Sequence, residues 1–486
     1  MARTITDKEY LHWLSDTTAL RVVLGEIDSY YNGTVITHRV GTEFFSTSPT
    51  DSPPNVIYVG ALMGAPSFTS RQTEAFGGAT SISFGNLIID NTDGRIDEWI
   101  IHSFAGRPVV LRIGSPDWGI DDFRVIFDGV SDRVDIPDDG SLEIYIKDKQ
   151  RLLDGPIQST HMNVADNSEG VQVPLCYGEV KNISPILDVD NENRYVIHES
   201  SIEGIDKVYL NGLATTDYVA SLVEGYFTLN AEPTGAVTCD ARGSNLGGYV
   251  NTIPGIAERL VERIAPSDAP GSASRLVKDW GTAVVGFYLT GRNNLLDVLD
   301  GIGTGFRYGF DRQGEFSFAP LEEPGTPVVV IDNIETYGDL GIIKGSVPVW
   351  KAAVGYRRNF TTQTSVDETV TDEHRAFVAA EFTKFAYSSD ESVKVEHILA
   401  QEPKFVPSPI LNEVDAVNEA ERLLGLYSKQ RYIATVSAYS RPLSLSIGDT
   451  LTLVDGRFGL GDGVNFVVIG ITEKLIDSKV DLELWR

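Results

Sequence analysis

Seven histidines (His12, His38, His102, His161, His198, His374, His397) and two cysteines (Cys176, Cys239) are the side chains best suited to hold a metal or act as nucleophiles. Their spacing keeps them apart. No His-x-x-x-His or Cys-x-x-Cys pair occurs, and those spacings are what aim two ligands at one zinc ion. Two thiols are too few for a disulfide framework or a four-thiolate cluster, so both are expected as small, reduced core residues. Asp90-Asn-Thr-Asp-Gly94 has the oxygen-rich look of a calcium loop, but its glycine falls fifth instead of sixth and the late glutamate is missing. It reads as a turn. Asp188-Val-Asp190-Asn-Glu192-Asn193 alternates carboxylates without the required glycine. Gly301-Ile-Gly-Thr-Gly305 and Gly461-Asp-Gly463 do not complete a phosphate loop, since no Gly-Lys-Ser/Thr follows. There is no G-x-S-x-G nucleophile elbow. Pairs of carboxylates for glycoside hydrolysis can be picked anywhere in a chain with 69 acidic residues, so none is singled out. No residue is therefore assigned a catalytic, cofactor-binding or metal role. No cofactor is expected, and the chain is read as a non-enzyme.

The elements around these residues are mostly strands. At 486 residues the chain has room for roughly three to four domains of about 100–200 residues. Lys plus Arg is 40 against 69 Asp plus Glu, a net charge of −29 that repels phosphate backbones and whose plain reading is solubility. No apolar run reaches the ~18 residues needed to span a membrane, and the first residues lack a signal-peptide pattern. Between 81 and 158, β-like runs at 82–89, 109–113, 123–127, 129–136 and 141–146 alternate between Asp-Gly and related turns, which predicts antiparallel strands in a small barrel or sandwich.

Before this stretch, 6–15 reads as a short helix capped by Thr6 or Asp7, and Asn32-Gly33 joins two strands as a hairpin. The tract 45–54 is a polar loop, followed by a strand at 56–59. After the stretch, 156–170 reads as loop. Strands follow at 171–175, 194–198, 206–210, 226–230 and 236–242, with Asn211-Gly212 and Glu224-Gly225 as turns. Ile256, Leu260, Val261 and Ile264 fall on one face of a helix behind Pro254, closed by Pro266. A linker at 267–274 leads to a second short helix at 293–299. The alternating aromatics at 306–310 and 315–318, around a turn at 311–314, make a ribbon packed on a helix. The last part has a strand at 349–356, a polar excursion at 361–372, a segment at 377–386 that reads as helix or irregular, and the clearest helix at 411–424, with Asn412 as its cap. Strands then run at 432–439, 449–454, 464–472 and 479–485.

Several of these segments, in this order, resemble the hub proteins of tailed-bacteriophage tails and baseplates. They are RVVLGEIDSYYNGTVITHRVGTEFF, NVIYVGALMGAPSFTSR, GNLIIDNTDGRIDEW, GRPVVLRIG, IFDGVSDRV, LEIYIKDKQRLLDGPIQ and the closing LSIGDTLTLVDGRFGLGDGVNFVVIGITEKLIDSKVDLELW. The ending Gly235-Ala-Val-Thr-Cys-Asp-Ala-Arg-Gly243 is similar, loosely, to that of the small β-domain inserted in such hubs. Ser446-Ile-Gly448-Asp449 resembles the approach to their closing barrel. Some tip proteins of long-tailed phages carry an iron–sulfur cluster in the last domain, and this chain has no cysteine there.

The resemblance implies a β-rich α+β multidomain chain. Residues 1–155 form a barrel-like hub domain, 156–248 a small β-domain, 249–345 an α+β module, and 346–486 a helix with a second barrel-like domain. It implies a structural virion protein of a tail tip, a homotrimer forming a ring under the tail tube. Such a ring adapts tube symmetry to the tip and lines the DNA exit channel with an acidic wall. Its partners would be the tail-tube or distal tail protein above and tip, fibre or tape-measure proteins. DNA would pass through without stable binding, and the particle would be assembled in the host cytoplasm. Two other readings compete: a receptor- or carbohydrate-binding tip protein, and a cell-wall hydrolase.

Overall fold

The computed structural model describes residues 5–16, 18–63, 68–74, 77–137, 139–164, 167–264, 281–302, 306–310, 314, 316–345, 347–439, 445–474 and 479–486. The expected linker at 267–274, Pro266, residues 303–305 of the glycine run and most of the turn at 311–314 lie outside them. The chain is β-rich, with short helices.

The capping signal at the start folds as read. Thr6 caps the helix Asp7–Ser15, its Oγ1 accepting the Glu9 N–H while Glu9 Oε2 accepts the Thr6 N–H. Asn32-Gly33 then turns Val22–Tyr31 into Thr34–Gly41 with both residues at positive φ, +47° and +85°. This hairpin starts a first sheet of eight strands. Their order is Phe45–Ser46, Ile57–Gly60, Thr34–Gly41, Val22–Tyr31, Pro108–Gly114, Arg124–Asp135, Ser141–Asp148 and Asn86–Asp90. The link at 61–63 draws the near strands toward the far edge. Leu62 N–H donates to Gly41 O, Met63 N–H to Ile88 O, and Asp90 N–H to Ala61 O. The sheet curls toward closure, which covers its edges.

Two expectations in this stretch need correcting. The alternating run 82–89 is not one strand. Gly85, exposed, separates Gly77–Phe84 from Asn86–Asp90, and the two belong to different sheets. Alternation reports which residues are buried and is silent about which sheet buries them. The Asp128-Gly129 pair is also no turn. It lies mid-way along Arg124–Asp135, Gly129 pairing with Val109 on one side and Asp148 on the other. Glycine is needed there for closeness: a Cβ would sit 2.2 Å from Phe127 Cζ and 2.4 Å from the Lys147 carbonyl oxygen.

The last sheet is assembled from distant stretches. Its order is Phe316–Pro320, Phe306–Phe310, Gly77–Phe84, Phe68–Glu74, Val464–Lys474, Lys479–Trp485, Tyr432–Tyr439 and Thr336–Lys344. Thr450–Leu453 pairs with Val464–Lys474 and with Val329–Ile331. The closing strands match the reading from sequence. Their partner does not follow from it: Phe68–Glu74 adds alongside Val464–Lys474, with Thr69 Oγ1 3.0 Å from Thr472 Oγ1. Leu87, Ile89, Val109, Leu111, Leu142 and Ile144 of the first sheet share one continuous core with Leu451, Val468, Leu482 and Leu484 of the last. Each such side chain, fully buried, contributes about 1.5–3 kcal/mol.

Between them, His161–Val164 pairs with Asn167–Gln172, where the sequence reads as loop up to Gly170. The run read as one strand at 171–175 is broken: Val171 and Gln172 end this second strand, and Leu175 starts a separate one that the sequence reading did not place, Leu175–Ile183, the central strand of the small module. It is flanked by Val237–Ser244 and Gly286–Leu289, and polar Glu179, Lys181 and Asn182 interrupt its apolar pattern. The helices Ile253–Ile264 and Leu295–Asp300 bury Ile256, Leu260, Val261, Leu295 and Leu299 against the aromatics Phe306, Tyr308, Phe310, Phe316 and Phe318, as the spacing predicts. The segment 377–386 divides between the end of helix Asp372–Val378 and the start of strand Lys384–Ser389. The helix Glu413–Tyr427 packs on this strand and on Lys351–Tyr356. Asn412 occupies its N-cap position, but its side chain donates to Asp415 Oδ2 instead of capping.

Candidate interface surfaces

The structure keeps most of the residues flagged for chemistry apart. Cys176 and Cys239 are both fully buried in the core of the small module, where burial pushes their thiols well up. Asp90 closes a tight turn, accepting the Thr92 N–H and hydroxyl, and these bonds hold its carboxyl below the usual range. Asp188 accepts the Asp190 N–H and Asn191 Nδ2. Gly448 of the Ser446–Asp449 motif has φ +93°, and a Cβ on it would fall 2.1 Å from the Arg307 guanidinium carbon. The motif makes room for that buried arginine, whose Nη1 donates to Ile447 O at 2.5 Å. Among the described residues no group of three or more His, Cys, Asp or Glu is placed to hold a metal ion.

Two histidines that sequence spacing leaves separate do meet. His38 Nε2 lies 2.7 Å and His102 Nδ1 3.0 Å from the hydroxyl of Ser29, which is 0% exposed. Trp99, Phe104 and Tyr31 pack their rings around the pair. Burial first, then the neighbouring His102, pulls the His38 pKa down to about 4, so the ring is neutral at pH 7. A serine and two imidazoles form a hydrolytic constellation only where a substrate can reach the hydroxyl, and this one is sealed. His198 is buried as well. Its Nδ1 accepts the Cys176 N–H at 3.1 Å, and burial lowers its pKa to about 4.

The features open to a partner lie in the last part of the chain, where sequence reading placed no site. A cleft of about 540 Å³ is lined by apolar Ile342, Phe458, Leu460 and Phe466 and by cationic Lys429, Arg431 and Arg486. No carboxylate is in its lining, in a chain with net charge −29. Glu323, outside it, takes Lys429 Nζ at 2.8 Å and Arg431 Nη2 at 3.0 Å. Phe458 stands exposed at the rim with φ +57°, a strained value for an aromatic residue, and Arg457 lies over its ring. The cleft opens beside Thr336–Lys344, an outer strand of the last sheet, which also exposes Ile343.

The second feature is a knob at 390–402. Asp390 Oδ1 accepts the Ser392 N–H and hydroxyl and starts the short helix Ser392–Glu396. Val393 is buried as its anchor, and the Lys394 ammonium sits 3.8 Å from the centre of the Trp350 ring. The far end is fastened by Trp350 N–H to Gln401 O and by Lys351 Nζ to Glu402 at 2.7 Å. Held this way, the knob leaves Val395 84%, Ile398 91% and Leu399 76% exposed. The segment reads Val-Lys-Val-Glu-His-Ile-Leu, and its Val395, Ile398 and Leu399 fall at i, i+3 and i+4, the spacing of one helical turn.

No protein-family model and no curated protein matches the chain. Solved structures do. The chain is similar to the tail protein from Neisseria meningitidis MC58, at 10% identity and a TM-score of 0.43, over 96% of each chain. It is similar to a prophage tail protein from Listeria monocytogenes EGD-e, at 11% identity and a TM-score of 0.44, over 96% of this chain and 94% of that one. A 43 kDa prophage tail protein from Shewanella oneidensis matches at 11% identity and a TM-score of 0.39, over 96% of both chains. These three structures are of tail proteins.

Proposed function

We propose that this chain is a non-enzymatic structural subunit of a phage tail. More finely, it is a baseplate hub whose copies form a ring under the tail tube. The observation that supports this reading best joins sequence and structure. The opening stretch NVIYVGALMGAPSFTSR and the closing stretch LSIGDTLTLVDGRFGLGDGVNFVVIGITEKLIDSKVDLELW both resemble hub segments, and they meet in the fold. Phe68–Glu74 of the first pairs with Val464–Lys474 of the second, Ser70 opposite Ile471. A barrel-like first part and a barrel-like last part are thereby locked through one sheet and one core. Two such parts per subunit let three copies present six similar faces to a sixfold tube. The small β-domain, 156–248, then projects from this body, while the α+β module, 249–345, lends its strands at 306–344 to the last sheet.

In this reading the partners are other copies of the chain, the tail-tube or distal tail protein above, and tip, fibre or tape-measure proteins below. The excess of acidic residues faces the channel and keeps DNA from sticking as it passes. Electron microscopy of intact virions tests both statements. Expected is a ring of this chain at the end of the tube with its carboxylates toward the lumen. Density for the chain in a fibre would overturn the hub reading, and an acidic outer wall with a neutral lumen would overturn the channel reading.

A further inference from the structure

The cleft and the knob are complementary. The cleft offers four apolar residues and three cations without a carboxylate. The knob offers Val395, Ile398 and Leu399, with Asp390, Glu391, Glu396 and Glu402 around them against Lys394 and His397. Glu391 and Glu396 expose 69% and 80% of their side chains. We infer that the knob of one copy docks in the cleft of the next, its aliphatic side chains on Phe458 and Ile342 over a floor of Leu460 and Phe466, and its carboxylates toward Arg486 and Lys429. This inference deepens the ring proposed above and rests on it.

Three physical points carry the pairing. An exposed aliphatic trio costs solvation free energy unless something covers it, and its rigid mounting on Trp350 and Val349 means little order is lost when it docks. A concave apolar site edged by charge is the form of pocket that accepts such an anchor. The signs also match. In a chain where acids outnumber bases 69 to 40, the cleft lining holds three cations against Glu323 alone beside it, which pairs Lys429 and Arg431 and leaves Arg486 to attract an acidic segment. Knob and cleft are different patches, so the contact is heterologous, and repeating it generates a closed ring when the rotation permits. The core of the interface is then aliphatic on aromatic, with Phe458 held in its strained backbone by the neighbour it receives.

Paired cysteines make the test. Cys176 and Cys239 are fully buried and free, so a disulfide introduced at the surface meets little background. Under mild oxidation of the otherwise native full-length chain, the double variant Ile398→Cys/Phe458→Cys should give covalent oligomers that stop at the ring size. Each single variant should give none beyond a dimer. The variant Ile398→Asp should lower the ring population at least tenfold by native mass spectrometry while leaving the melting temperature of the monomer unchanged. Native rings without crosslinking, and undisturbed by Ile398→Asp, would overturn the docking and leave the ring intact. A wild-type chain that is monomeric both alone and with tail-tube protein would overturn the ring itself.

Discussion

The first and last sheets bury the same kind of aliphatic face into one core, yet they are built in different ways. Every strand of the first comes from residues 22–148, and most neighbours in the sheet are neighbours in the chain. The last draws strands from 68–84, 306–344 and 432–485, and its seam joins Thr69 to Thr472 across 403 residues. Length alone adds little to the equilibrium cost of such a seam, since each doubling of a loop costs about 0.6 kcal/mol. What the seam lacks is a local signal. Turn chemistry chooses a hairpin partner, whereas only packing of the finished core chooses a partner four hundred residues away.

The comparison can be broken at either sheet. Gly129→Val places a side chain where Phe127 and Lys147 already are, and the first sheet has no slack to absorb it. We expect no cooperative melting transition, followed by circular dichroism, and a transition within a few degrees of wild type would refute the close approach. Trp485→Ala empties a fully buried site in the last sheet, under the Arg431 guanidinium. Loss of about 3–5 kcal/mol is expected from the midpoint of urea unfolding.

Acid separates the two sheets in another way. His38 is neutral in the fold with a pKa of about 4 and ionises near 6.5 when unfolded. A depressed folded pKa means the unfolded state binds the extra proton, so stability is whole above pH 6.5 and drains away as pH falls toward 4. The loss from His38 is on the order of 3 kcal/mol, and His198 adds a similar drain in the small module. The closing strands after residue 431 contain no histidine. Amide protection factors, which remove the intrinsic pH dependence of exchange, should therefore fall more between pH 7 and pH 5 at 24–29, the strand paired with that of His38, than at 482–484. An equal fall at both would contradict the assignment. The smallest effect is expected at the seam, where Thr472→Val removes the hydroxyl facing Thr69 and should cost about 0.5–1.5 kcal/mol. A larger loss would mean the seam stabilises more than one hydrogen bond can.

The strands, the hairpins at Asn32-Gly33 and Asn211-Gly212 and the helix on Ile256, Leu260 and Val261 were legible because their causes are local. Gly129 misled because Asp-Gly serves turns and close approaches alike. Gly85 was passed over because both flanking halves alternate. The polar excursion at 361–372 was legible as non-regular, though its docking was not: Asp367 N–H donates to Asn211 O and Val366 covers Gly212, so it packs on the small module's hairpin tip. Knob and cleft were missed for the opposite reason to the seam. The knob's Val395, Ile398 and Leu399 have helical spacing over a single turn, and a pattern that short does not say whether its face is buried or exposed.

The central claim is that copies of this chain assemble into a ring, and native mass spectrometry of the purified protein, alone and mixed with tail-tube protein, tests it most directly. The account predicts a single closed species, three copies in the hub reading, present alone or appearing on addition of tube protein. A chain that stays monomeric in both samples and binds host cells instead would contradict it.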